Sequence, residues 1–95
     1  MNIADLHQQE KEVSAINFFK GELGTATTIQ LERNGTLKEH ITKTPALLLC
    51  VSGVVTYEDV NEQKIKLQQG DYILITPNLK HWLLASAKSQ LILYK

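Results

Sequence analysis

The sequence predicts an all-β domain, a sandwich or barrel of short antiparallel strands with little helix. Three observations carry that prediction. Runs of β-branched, aromatic and aliphatic residues recur along the chain. Gly, Pro, Asn and Asp clusters separate those runs at the short, even spacing of all-β folds. No segment shows a sustained apolar stripe at helical spacing.

Residues 2–12, polar except for Ile3, Leu6 and His7, form a lead segment in which Asn2 is expected to cap a single helical turn, with Asp5 near its positive end. Val13 to Lys20 and Thr25 to Leu31 read as strands around the turn Gly21-Glu22-Leu23-Gly24. Asn34-Gly35 is the strongest hairpin signal in the chain. Thr36 to Thr42 follows as a shorter strand and is stopped at Lys43-Thr44-Pro45. Ala46 to Val51 is the most apolar strand, and Ser52-Gly53 ends or bulges it.

Val54 to Glu58 and Gln63 to Leu67 form a hairpin around Asp59-Val60-Asn61-Glu62. The order Lys64, Ile65, Lys66, Leu67 gives that second strand one wet and one buried face, as suits an edge. Gly70-Asp71 turns into Tyr72 to Ile75, Thr76-Pro77-Asn78 breaks that run, and His81 to Leu84 resumes it. Gln90 to Tyr94 is the last strand, which brings the expected count to eight or more.

Composition narrows the function classes. Ninety-five residues read as one domain spanning 1–95. Ten basic and ten acidic side chains cancel, which leaves no electrostatic footprint for nucleic acid or an anionic membrane. The longest apolar run, Ala46 to Val51, is far short of a membrane span. The N-terminus has neither the basic start nor the apolar region of a secretory signal, and a lone cysteine, Cys50, fits a reducing compartment, so a cytoplasmic location is expected. Phosphate-cradling glycine loops, G-x-S-x-G elbows and HExxH motifs do not occur.

Two stretches carry the chemistry-bearing residues, Gly35 to Gly53 and Gly70 to His81. Together they resemble the two motifs of the cupin superfamily. Gly35, His40 and Gly53 fall at positions of the first motif; Gly70, Asp71, Pro77, Asn78 and His81 fall at positions of the second. The resemblance spans 27–94 and implies a jelly roll of two antiparallel sheets, a pocket between them and a homodimer. A full site of that family resembles three histidines and a glutamate around a divalent metal. In this chain those four positions read His40, Thr42, Ala46 and His81, so the first motif is degenerate.

The pocket implied by this resemblance is lined by His40, Thr42, Leu48, Cys50, His81 and Leu83. Cys50 shares strand parity with Ala46 and Leu48, and Glu39 faces away from His40 by the same rule. Trp82, Tyr57 and Tyr72 read as core or dimer-surface residues, and His7 as an exposed side chain of the lead segment.

Three functions fit. The first is a small-molecule binding or sensing domain with no firmly held metal. The second is a metal-dependent isomerase or dioxygenase of the small-cupin type, using His40 and His81 on a divalent ion. The third is a structural or interaction protein whose barrel interior is filled by Leu48 and Leu83.

Overall fold

The computed structural model describes residues 1–8 and 11–95. Part of the expected lead segment, at 9 and 10, lies outside the described residues. A short 3-10 turn, Ile3–Leu6, opens the chain, with the Asn2 side chain accepting from the Ala4 backbone N–H as its cap. Nine strands follow among the described residues: β1 (Val13–Lys20), β2 (Thr25–Leu31), β3 (Thr36–His40), β4 (Ala46–Ser52), β5 (Val55–Asp59), β6 (Lys64–Leu67), β7 (Tyr72–Ile75), β8 (His81–Ala85) and β9 (Ser89–Tyr94).

The strands make two antiparallel sheets, β1-β2-β9-β4-β7 and β3-β8-β5-β6. Alternation along each strand places one set of side chains between the sheets. Ala46, Leu48 and Cys50 of β4 point inward with Ile29, Val55, Tyr57, Leu67, Ile75, Leu83 and Leu91, all nearly free of solvent. Each large aliphatic side chain so buried stabilises the fold by about 1.5–3 kcal/mol, so this inner layer is the main cohesive term.

The turn Asn34-Gly35 does not close a hairpin. Asn34 takes the left-handed conformation that the dipeptide favours, φ 66°. Yet β2 lies in the larger sheet and β3 in the smaller, so the turn carries the chain across the sandwich. The β5–β6 hairpin forms as expected, with Val55 opposite Leu67 and Glu58 opposite Lys64. Asp59 holds its loop, one carboxylate oxygen accepting from the Asn61 and Gln63 N–H groups. Strand β6 is an edge. Leu67 is buried there, whereas Ile65, opposite Tyr57, stays 36% exposed for want of a further neighbour.

Register shifts between Cys50 and Ser52, where the expected bulge lies. Gly53 follows with φ 90°, and a Cβ there would collide with the Lys88 carbonyl and with Ser89. Only glycine fits both demands.

The lead segment folds back over the outer face of β1 and β2. His7 is buried there, contrary to the exposed position expected for it. Its Nδ1 lies 2.7 Å from Ser14 Oγ and its Nε2 3.1 Å from Thr28 Oγ1. A polar segment hides an imidazole because two outward hydroxyls of adjacent strands satisfy both ring nitrogens, a pairing no local pattern announces.

Candidate functional site

At one end of the sandwich the two sheets part around a cavity of about 280 Å³. Its floor is apolar, built by Ile29, Leu48, Ile75, Leu83 and Leu93. Its polar groups are His40, Thr42, His81, Asn17, Thr27 and Lys95. None of the described aspartates or glutamates lines it.

A β-bulge brings His40 into this space. Leu37 pairs with Leu83 and His40 with His81, so three steps along β3 match two along β8. Regular alternation from the inward Leu37 would have turned Glu39 inward and His40 outward. The extra residue reverses that. Glu39 lies instead in an outer groove with Thr36, Lys38 and Trp82.

His81 enters the cavity from β8, directly after the Pro77-Asn78 turn, where Asn78 has φ 63°. His81 is 5% exposed as a residue, and its ring stacks on Tyr57, centroids 5.8 Å apart and planes 22° from parallel. The Tyr57 hydroxyl donates to Asp59 Oδ2 at 3.0 Å. Burial, with that bond and the Asp59 charge, pushes the Tyr57 pKa up to about 12, so the phenol stays protonated and anchored.

The two imidazoles are held alike. His40 Nδ1 lies 2.9 Å from the Lys38 carbonyl oxygen, and His81 Nδ1 lies 3.0 Å from that of Leu79. A carbonyl only accepts, so each Nδ1 carries the proton and donates it. In the neutral ring Nε2 is then left with an open lone pair. The ring centroids are 6.4 Å apart.

Thr42 is 2% exposed, and its hydroxyl has no hydrogen-bond partner. The backbone around it is fixed, because its carbonyl accepts from the Asn78 N–H at 2.7 Å. A buried hydroxyl without a partner costs about 1–3 kcal/mol and is a place where a bound molecule regains that energy.

At the four positions of the family site the donors are two imidazole nitrogens and a neutral hydroxyl, since Ala46 is packed in the core and offers none. Among the described residues no three His, Cys, Asp or Glu side chains gather in one place. Catalytic zinc takes three protein ligands, and non-haem iron takes two histidines with a carboxylate. The residues present do not fit a firmly held ion of either kind.

Of the residues read from sequence as a pocket, the structure brings His40, Thr42, Leu48, His81 and Leu83 together around the cavity. Cys50 is placed elsewhere. It is fully buried in the packed core, where its thiol points to the Ser52 carbonyl at 3.5 Å. Burial and the Asp71 charge raise its pKa, which keeps it a thiol. Sequence reasoning missed Asn17, Thr27 and Lys95, whose place on the wall follows from β1, β2 and β9 lying side by side.

The geometry can be set beside known proteins. A family model described as Cupin domain matches residues 27–94, the span that carries both motifs. No curated protein matches the chain. Among solved structures, a cupin superfamily protein from Desulfitobacterium hafniense superposes with a TM-score of 0.86 at 13% identity, over 98% of this chain and 84% of that one. A cupin-2 domain containing protein from Shewanella frigidimarina gives 0.80 at 17% identity, over 100% and 92%. An RmlC-like cupin family protein from Methanocaldococcus jannaschii, with a double-stranded β-helix fold, gives 0.79 at 13% identity, over 94% and 84%. At such identities the likeness is one of fold. The family match over most of the chain, together with the two-sheet jelly roll, shows that the chain belongs to the cupin superfamily.

Proposed function

We propose that this cupin domain binds or senses a small molecule in the cavity between its sheets, without a firmly held metal. The observation that carries the reading is the unpartnered Thr42 hydroxyl beside two imidazoles with open Nε2 atoms, over an apolar floor. Concave, mostly apolar sites with a few convergent polar groups are where small ligands bind. Leu48 and Leu83 form walls and leave space between them, which argues against a purely structural, filled barrel.

The test is an NMR screen of small polar compounds in EDTA. Amide shifts clustered on His40, Thr42, His81 and their neighbours support the reading. A broad library that moves none of them overturns it.

One observation favours the second reading, a metal-dependent enzyme of the isomerase or dioxygenase type. Each Nδ1 is tied to a backbone carbonyl, the arrangement that orients a ligating imidazole. Elemental analysis of protein purified without a metal-binding tag separates the two. One equivalent of iron, zinc, nickel or manganese, lost in a His40→Ala/His81→Ala double variant, establishes the metal reading. Well under one equivalent in the parent protein supports the metal-free one.

The domain is further proposed to act as a homodimer in the cytoplasm, with no nucleic-acid or membrane partner. Support for the dimer comes from the outer face of β9-β4-β7. Leu47 stands opposite Leu74 and Tyr94, and Leu49 opposite Tyr72 and Ile92. Leu74 and Tyr72 are 74% and 61% exposed. The absence of net charge removes a barrier to self-association. No helix among the described residues is long and apolar enough to cross a membrane.

A further inference from the structure

We infer that the ligand is a small aliphatic ω-hydroxy acid, bound with its hydroxyl inside the cavity and its carboxylate at the rim. The inference rests on the small-molecule reading of the same cavity and goes on to name the ligand's chemistry.

The inner end supplies acceptors. His81, almost wholly buried, has its Nδ1 proton committed to the Leu79 carbonyl, so its Nε2 asks for a donor. Thr42 adds a buried hydroxyl with no partner, able to donate and to accept. A ligand hydroxyl satisfies both at once, donating to the imidazole and accepting from Thr42. A carboxylate at this end has no proton to give to Nε2 and sets lone pair against lone pair.

The rim has the opposite character. An outer basin shares Asn17, Thr27 and Lys95 with the inner cavity and is otherwise lined by Thr25, Ile41, Lys43 and Thr44. Two lysine side chains and none of the described aspartates or glutamates line it. In a chain whose side-chain charges cancel, that is a local excess of cationic side chains at one mouth. A carboxylate there accepts from the two ammonium groups. Between the ends, Leu48, Leu83 and Leu93 offer apolar walls to a methylene chain.

The test compares the four-, five- and six-carbon ω-hydroxy acids with the matching simple carboxylates and diols, by NMR titration in EDTA. The best hydroxy acid is expected to bind at least about tenfold more tightly than either analogue, one hydrogen bond to a buried or charged group being worth that much. Lys43→Gln/Lys95→Gln should weaken the hydroxy acid roughly tenfold and leave the diol unchanged. Thr42→Val should weaken hydroxy acid and diol alike. Equal binding of the simple carboxylate refutes the inner hydroxyl, and equal binding of the diol refutes the anionic rim; either result leaves the small-molecule reading standing. Silence from all three series overturns the ω-hydroxy acid, while hits elsewhere in the polar-compound screen would still uphold the binding reading.

Discussion

His40 and His81 sit opposite each other on β3 and β8, and the register shift between Leu37 and His40 is what makes them partners. Had the same sequence run on from Leu37 without the bulge, Glu39 would stand opposite His81, and the cavity would hold a carboxylate in place of an imidazole. The chemical character of the site therefore depends on one irregularity of the ladder.

Deleting Glu39 should remove the bulge and leave His40 two regular steps from Leu37, opposite His81 and still facing the cavity. NOEs between the His40 and His81 rings should survive the deletion, because only the residue squeezed out of the ladder is lost. Lys38→Ala, which changes a solvent-facing side chain only, should shift stability by no more than about 0.5 kcal/mol. Loss of the ring NOEs in the deletion variant would show that the bulge geometry itself, and not the pairing with His81, aims His40.

Thr42→Val should be neutral or stabilising, by up to about 1 kcal/mol in urea unfolding of the free protein. The substitution removes a buried hydroxyl that has no partner and keeps a β-branched shape. The same variant should lose ligand affinity, as a residue kept for binding at a cost in stability does. A clear loss of stability would mean that the hydroxyl has a partner in solution.

His7 should make the lead segment sensitive to pH. Burial lowers its pKa below the ordinary 6.5, so the freed imidazole takes up a proton at a higher pH than the docked one. Between 6.5 and the lowered value the undocked state holds more protons, so docking weakens as pH falls through that window and levels off below it. Above 6.5 the contribution is complete. Asp5 and Lys88 border the same depression, one charge of each sign. Hydrogen exchange at Ser14 and Ile16 should therefore quicken from pH 7 toward acid in the parent protein, beyond the intrinsic change. In His7→Asn that excess should disappear; if it stays, the pH response lies elsewhere.

The apolar outer face should hold two copies together. Light scattering at micromolar concentration should give about twice the chain mass. Leu74→Lys with Tyr72→Lys should give the single-chain mass, because two charges would be buried unpaired at the contact. A parent protein that runs as a clean monomer removes the dimer.

What the sequence by itself determined is the class of fold and most of the strands. Ala46, Leu48 and Cys50 alternate with Leu47 and Leu49, and that period of two is written locally, wherever it is read. Turn chemistry is local as well, so Gly53, Asn34-Gly35 and Pro77-Asn78 mark real changes of direction. The second motif led to His81 for the same reason.

Only the tertiary structure decided which strands meet and in what register. Asn34-Gly35 turns the chain as its residues require, but the strand that then pairs with β3 is β8, more than forty residues on. The bulge that admits His40, the hydroxyls that hide His7, the missing partner of Thr42 and the lysines gathered at the rim are likewise long-range facts. Each depends on a neighbour brought up by folding. A residue's own propensities fix its backbone and the face it prefers, whereas the partner it meets is set by the packing of the whole chain.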